Sequence, residues 1–230
     1  MKGCRGLLLL TACLLAGVWA DASAADDDAA WEELESLSQQ REPITTYAAD
    51  FRQEKFTPLL RDPIESTGRV LIAEGEAGGV SRWDTDAPYA STMLIADGEL
   101  KLFYPEQESL EVYELGDRLD ALAASPVPDL AVLKENFAID SSGWTEDNAL
   151  YRLTLLPKSE AMLDALEEIT VDIDATLGSM RRLSMTDLDG ETTVMHFGNV
   201  ELNPELDPAD LELTVPDGTQ IIRPLEAVGQ

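Results

Sequence analysis

Apolar residues recur at every second position through much of the chain, most clearly in the stretch 66–115. Two such segments flank Asp97-Gly98: Thr92, Leu94 and Ala96 before it, and Leu100, Leu102 and Tyr104 after it. Asp-Gly between alternating segments is a strong hairpin signal, because a type I′ turn needs positive φ at both central residues. The stretch therefore predicts a run of short antiparallel strands.

Three other segments have the spacing of amphipathic helices. Their apolar residues are Trp31, Leu34 and Leu37; Leu115, Leu119 and Leu122; and Leu130 and Leu133. A residue spacing of three or four places each set on one face of a helix. Each predicted helix therefore has a narrow apolar stripe and should lie on another element.

Period-two alternation returns after the predicted helix with Leu130 and Leu133, and it predicts more strands. They cover Phe137 to Ile139, Leu150 to Leu156, Ile169 to Ile173, Met180 to Asp187 and Thr192 to Phe197, followed by a tail strand with Leu211, Leu213 and Val215. Asp189-Gly190 is a second hairpin signal. About ten antiparallel strands with helices before and between them indicate an α+β fold, whose apolar sheet face must be covered.

The first 24 residues have the three parts of a secretory signal: a basic start, an apolar run over 7–19 and small residues up to Ala24. A rival interpretation takes Leu10-Thr11-Ala12-Cys13 as a lipoprotein-processing site with Cys13 lipidated. We favour cleavage, which leaves a single domain over 25–230. Both cysteines, Cys4 and Cys13, are then removed, so we expect no disulfide and no thiol chemistry in the mature chain.

The chain is strongly acidic, with 45 Asp and Glu against 16 Lys and Arg, and a formal charge of −29. Removing Lys2, Arg5 and Asp21 with the signal takes away +1 and leaves −30. Nucleic acid is excluded as a partner, because phosphate binding needs clustered Lys and Arg. The acidity either maintains solubility, for example at high salt, or steers the protein toward a basic partner; the salt dependence of a partner's association rate would separate the two.

Residues for catalysis or metal binding are scarce. His196 is the only histidine, and its strand position predicts a solvent-facing side chain. Asp172 and Asp174 share a strand face that should also face water. Asp187-Leu188-Asp189-Gly190 lacks the later ligands of a calcium loop, and the glycines near Gly75 lack the lysine and helix of a phosphate loop. We therefore expect no enzyme activity, no cofactor and no metal.

A succession of short motifs resembles the periplasmic outer-membrane lipoprotein carrier (LolA) family. The motifs are Tyr47-Ala48-Ala49-Asp50-Phe51-Arg52-Gln53-Glu54-Lys55, Ser66-Thr67-Gly68, Arg82-Trp83 with Pro88, Asp97-Gly98, Tyr104-Pro105, Ser125-Pro126, Leu156-Pro157-Lys158, Met185 to Gly190, and Phe197 with Asn203. Each motif is short, and the specificity lies in their order along nearly the whole mature chain.

The resemblance implies an incompletely closed antiparallel β-barrel whose concave apolar face is covered by helices, with a cavity for acyl chains between them. Implied cavity residues are Phe51, Val70, Ile72, Trp83, Leu94, Leu102, Tyr104, Leu153, Leu155, Met185, Met195 and Phe197. Implied lid residues are Trp31, Leu34, Leu119, Leu122, Leu130 and Leu133. The family's gating arginine is absent at Ala77, and Arg82 either replaces it or is a surface strand residue.

The resemblance also implies a function without catalysis: a monomeric periplasmic carrier that shelters acyl chains of lipoproteins or another lipid. Its partners would be an inner-membrane donor transporter and an outer-membrane acceptor. The alternative is a lipid-sensing regulatory module of RseB-like fold, although such proteins normally have a second domain. An esterase is a third possibility. Co-purification of acyl lipid would favour the carrier.

Overall fold

The computed structural model describes residues 22–39, 42–75, 79–114, 126–127, 130–146, 149–164 and 166–224, without the side chains of 22–27, 160 and 161. The predicted signal segment therefore lies outside the described residues except for its last three positions. Leu119 and Leu122, the predicted middle part of the lid, also lie outside them.

Three helices and twelve strands make up the described part. The helices are α1 (Ala22–Gln39), α2 (Leu130–Asn136) and α3 (Glu160–Leu163). The strands are β1 (Thr46–Phe56), β2 (Ile64–Ala73), β3 (Val80–Thr85), β4 (Ser91–Ala96), β5 (Glu99–Tyr104), β6 (Ser109–Glu114), β7 (Phe137–Trp144), β8 (Leu150–Pro157), β9 (Leu166–Asp174), β10 (Met180–Asp187), β11 (Thr192–Leu202) and β12 (Gln220–Ile222).

Both predicted hairpins are present. Asp97 and Gly98 have φ values of 54° and 74°, as a type I′ turn requires, and they join β4 to β5 with no other loop residue. Gly190 has a φ of 79° in the turn between β10 and β11, where Leu183 lies opposite Met195. The Asp-Gly dipeptides therefore set the register of two strand pairs.

All twelve strands form one sheet in the order β12-β6-β5-β4-β3-β2-β1-β11-β10-β9-β8-β7. The pairing is antiparallel except for β12, which runs parallel to β6. The sheet does not close, because β7 and β12 are its two edges. The predicted tail strand over Leu211 to Val215 is wrong: residues Pro208–Leu211 form a short 3-10 turn, and the last strand begins at Gln220.

The helices lie on one face of the sheet, which we call the inner face. Helices α1 and α2 contact β7, and α3 contacts β8 and β9. Trp31 and Leu34 of α1 and Leu133 of α2 are at most 2% exposed and join the main core. Tyr47, Phe51 and Trp83 belong to the same core, so the inner face is buried from β7 as far as β3.

The outer face is covered differently. Phe103, Leu110 and Val112 form a second, smaller core beneath Leu213 and Val215 of the C-terminal segment, residues 203–219. The 3-10 turn of this segment contacts β2 and β3. Strands at this end of the sheet are consequently apolar on both faces.

Candidate functional site

An open cavity of about 480 Å³ lies on the inner face between β11 and β5. Its lining comprises Phe51, Gln53, Ile64, Ser66, Trp83, Thr85, Tyr89, Ser91, Met93, Leu102, Tyr104 and Met195. Tyr89, in the β3–β4 loop, is 56% exposed and marks its outer rim. The cavity combines an apolar surface with a few neutral polar groups, which is typical of sites for lipid-like ligands.

A second, enclosed pocket of about 80 Å³ lies under the helices. It is lined only by apolar side chains: Leu133, Phe137, Leu155, Met162, Leu166, Ile169, Val171, Met180, Leu183 and Met185. Three methionines contribute to it, and their unbranched side chains can change conformation at low cost.

An aromatic cluster contributes to the wall of the open cavity. The Trp83 ring centroid lies 5.4 Å from that of Phe51 and 6.0 Å from that of Phe197. The Trp83 indole N–H donates to Ser81 Oγ at 2.8 Å, so its polar atom is already satisfied. The indole therefore presents an apolar wall, because a buried N–H without a partner would be costly.

Gly68 allows this cluster to form. A Cβ at position 68 would lie 2.0 Å from the Asp84 carbonyl oxygen and 2.7 Å from the Phe51 ring. Phe51 pairs directly with Gly68 across β1 and β2. Only glycine leaves the ring room to lie over the neighbouring strand.

Strand register places eleven of the twelve predicted cavity residues on the inner face. Phe51, Trp83, Leu102, Tyr104 and Met195 line the open cavity, and Leu155 and Met185 line the enclosed pocket. Val70, Ile72, Leu153 and Phe197 are buried in the main core. These four support the site without lining either space.

Leu94 is the exception, and its predicted place is wrong. It pairs with Arg82 and Lys101, and it lies on the outer face, while its neighbour Met93 pairs with Trp83 and Leu102 on the inner face. Both faces of β4 are apolar because the C-terminal segment covers the outer side of this part of the sheet. Alternation alone therefore could not tell which of the two side chains enters the cavity.

The described lid residues lie over the sheet at the β7 end. Trp31, Leu34 and Leu133 are buried, and Leu130 is partly buried against the same core. Lys134 connects the two helices, 6.0 Å from the Trp31 ring centroid and 3.5 Å from the Glu35 carboxylate. Such exposed polar contacts contribute little, so apolar packing holds α1 and α2 in place.

Arg82 lies on the outer face and does not contact the cavity. Its Nε and Nη2 donate to the Asp84 carboxylate at 2.8 and 3.0 Å. Its Nη1 donates to the backbone carbonyls of Asp210 and Glu212 at 3.2 and 2.6 Å. The suggested gating role is therefore not supported by its position; Arg82 fastens the C-terminal segment to β3.

Of the polar residues that were predicted to face water, one is exposed on the outer face and another is buried there. His196 is on that face as expected, with Nε2 3.3 Å from the Glu54 carboxylate. Asp172 is on the same face but is only 2% exposed, contrary to the prediction that it faces water. The Arg152 guanidinium covers it and donates to both carboxylate oxygens, at 2.6 and 2.7 Å, and this carboxylate raises the pKa of Arg152.

A depression of about 640 Å³ also lies on the outer face, between β11 and β3. Arg52, Arg69 and His196 line it together with three aspartates, Asp50, Asp84 and Asp86. An apolar ligand bound there would remove water from these charged side chains, which is costly in free energy. The smaller open cavity is therefore the better candidate for acyl binding.

Among the described residues, no group of three or more His, Cys, Asp or Glu could hold a metal. The helices described there are all too short or too polar to span a membrane.

Comparison with known proteins identifies the family. The family model described as "Outer membrane lipoprotein carrier protein LolA" matches residues 42–214. The chain belongs to the LolA family. The sequence-based resemblance is thereby confirmed, as is the open antiparallel sheet with helices on its concave side, although the described strands number twelve instead of about ten.

Curated relatives cover most of the chain. The outer-membrane lipoprotein carrier protein of Chromohalobacter salexigens is 27% identical over 192 residues, 82% of this chain and 86% of its own length. That of Pseudomonas aeruginosa strain UCBPP-PA14 is 28% identical over 217 residues, 94% and 97% of the two chains. A solved structure of an uncharacterized conserved protein from Thermus thermophilus shares the fold, with a TM-score of 0.52, 12% identity and coverage of 85% and 98%.

Several residues that line the open cavity were missed from sequence. Met93, Ile64 and Tyr89 line it, as do four neutral polar residues, Gln53, Ser66, Thr85 and Ser91. Period two does place Gln53 on the same strand face as Phe51, so alternation was a usable signal for it. The same signal applies to Thr85, two residues from Trp83, and to Ser66 and Ile64, at two-residue steps from Val70. Met93 and Ser91 depended on the strand register, and Tyr89 on the loop between β3 and β4.

Proposed function

We propose that the protein is a periplasmic carrier, without catalytic activity, that shelters acyl chains of lipoproteins or a similar lipid and moves them toward the outer membrane. The observation that supports this most directly is the open cavity, whose apolar lining lies beside a second apolar pocket under the helices. Membership of a family named for lipoprotein carriage is consistent with it.

The physical need for such a carrier follows from the hydrophobic effect. Each CH2 group exposed to water costs about 0.8 kcal/mol, so a free acyl chain crosses an aqueous compartment only inside an apolar shelter. The shelter must also open to release its ligand. We propose that α1 and α2, with residues 115–125 beyond the described part, act as the lid, and that residues 1–24 are removed on secretion.

Replacing Leu102 with Asp should test the site. Leu102 lies on the inner face opposite Met93, and a carboxylate there would be desolvated by any bound acyl chain. We expect Leu102→Asp to lower uptake of a fluorescent acylated lipopeptide at least tenfold without preventing folding. The measurement is fluorescence titration of the mature protein, combined with native mass spectrometry of co-purified lipid.

Leu156→Asp is the matched control. Leu156 lies on the outer face of β8 and is 38% exposed, so a carboxylate there remains hydrated and uptake should not change. Equal loss in both variants, or no uptake by the folded wild type, would contradict the proposed site. Uptake without transfer to acceptor vesicles or an acceptor protein would favour the lipid-sensing alternative.

A further inference from the structure

The lining of the open cavity contains no charged side chain among the described residues, although 27% of the chain is charged. Two charged groups neighbour the lining: Glu111 lies opposite Leu102 in the β5–β6 register, and Lys55 lies opposite Ile64 in the β1–β2 register, with its Nζ 2.7 Å from the Glu191 carboxylate. Glu111 also accepts a hydrogen bond from Tyr113 at 2.7 Å. A ligand in this cavity therefore meets no cation in the lining, and the neighbouring Lys55 is already paired with a carboxylate.

Polar groups in the cavity occupy two adjacent rows across the sheet. Gln53 and Ser66 form one row, since they pair across β1 and β2. Thr85 and Ser91 pair across β3 and β4 in the next row, and the β4–β5 register brings Tyr104 beside Ser91. The following row, which is deeper in the cavity, consists of Trp83, Met93 and Leu102. The polar groups thus lie farther out than the Trp83 row. The two rows also contain Met195 and Phe51, and Ile64 lies one row beyond them.

These polar groups are available to a ligand. Within the described part of the chain, no side-chain hydrogen bond involves the Gln53 amide or the hydroxyls of Ser66, Thr85 and Ser91. Trp83 is different, because Ser81 already accepts from its indole N–H. All four free groups can donate to a carbonyl oxygen.

Tyr104 adds a donor that stays protonated. Desolvation, with the nearby Glu111 carboxylate as a smaller cause, raises the pKa of the Tyr104 phenol above its usual value. The phenol therefore remains an O–H at the neutral and mildly alkaline pH of a binding experiment. The two polar rows together therefore offer hydrogen-bond donors but no positively charged side chain.

We propose that the two polar rows bind the uncharged ester or amide carbonyls by which acyl chains are linked to their head group, so that the cavity accepts linked acyl chains and rejects free fatty acids. This inference rests on the proposed function and specifies the ligand class of the same site. A free carboxylate at that depth would be desolvated without a cation and would be repelled by Glu111. An ester carbonyl needs only the donors that are present.

Displacement of a neutral fluorophore, N-phenyl-1-naphthylamine, from the mature protein at pH 8 tests this. We expect 1-monopalmitoylglycerol to displace it at concentrations at least tenfold below those of palmitate, which has the same acyl chain. The double variant Gln53→Leu, Ser66→Ala should lose most of this preference, measured as the ratio of the two displacing concentrations in that variant. Thr154→Val, a polar-to-apolar change on the outer face of β8, should keep the preference.

A second experiment tests whether the preference for the monoglyceride over palmitate can be reversed. Ser91→Lys places a cation in the polar rows and should improve displacement by palmitate about tenfold, since it supplies the missing counter-charge. Equal displacement by both lipids in the wild type would overturn the inference and leave the proposed function standing. A preference that survives in the double variant would overturn the assignment to these residues. Failure of the folded wild type to bind the fluorophore, the monoglyceride or a lipopeptide would overturn the proposed function itself.

Discussion

Gly68 is the residue on which the aromatic part of the site most depends. Phe51 lies against its backbone, and Trp83 packs on Phe51. The sequence predicts a strand at this position but gives no reason for a glycine, which ordinarily weakens a strand. The tertiary contact supplies that reason.

Gly68→Ala should lower the free energy of unfolding by about 2 kcal/mol, because the new Cβ would overlap the Asp84 carbonyl and the Phe51 ring, and overpacking costs about 1–3 kcal/mol. Urea denaturation followed by tryptophan fluorescence measures it. Gly143→Ala is the control: a Cβ there meets nothing within 4 Å, and its stability should change little. Equal stabilities for the two variants would contradict this account of Gly68.

At the level of elements, strand β3 contributes to both faces. Trp83 points into the site, while Arg82 and Asp84 fasten the C-terminal segment on the other side, where Asp84 also accepts from Thr92 at 2.7 Å. Leu213 and Val215 then complete the small outer core. The adjacent pair Arg82-Trp83 thus links the cavity wall to the covering of the opposite face.

Arg82→Ala should loosen the C-terminal segment and leave acyl uptake unchanged. Two backbone carbonyls and one carboxylate would lose a charged donor, an effect of about 1.5–3 kcal/mol per bond at most. Hydrogen exchange should become about tenfold faster over residues 208–215. Arg69→Ala is the control, because Arg69 is exposed and lies 4.0 Å from Glu201. Reduced lipid uptake with normal protection of the segment would instead favour a gating arginine.

At the level of the whole molecule, the few basic residues are unevenly placed. Strand register aligns Arg152, Arg182, His196 and Arg52 in one row on the outer face, across β8 to β1, with the buried Asp172 between the first two. Acidic residues dominate elsewhere, for a formal total of −29. Repulsion among like charges destabilises a compact chain, and salt screens it.

The melting temperature should therefore rise by several degrees between 0.01 M and 1 M NaCl, as the screening length falls from about 30 Å to about 3 Å. Calorimetry measures this directly. KCl should have the same effect, since screening depends on ionic strength and not on the cation. A melting temperature that is unchanged or falls would indicate that attractive ion pairs, such as Lys55 with Glu191 at 2.7 Å, outweigh the repulsion.

The sequence by itself determined the local structure. Period-two alternation and the two Asp-Gly turns fixed most strands and two hairpins, and three-residue spacing placed Trp31 and Leu34 on one helix face. These features depend on neighbours in sequence, which is why they could be predicted. The ordered motifs, as a set, also indicated the family.

Only the tertiary structure decided which apolar side chains form the site. Met93 and Leu94 are equally apolar, and strand register alone sends the first to the cavity and the second to the outer face. The roles of Arg82 and Asp172 likewise depend on partners 128 and 20 residues away in sequence. A contact between residues distant in sequence does not produce a periodic pattern in either segment. The polar rows, and the packing of the C-terminal segment on the outer face, could therefore be identified only from the strand pairing.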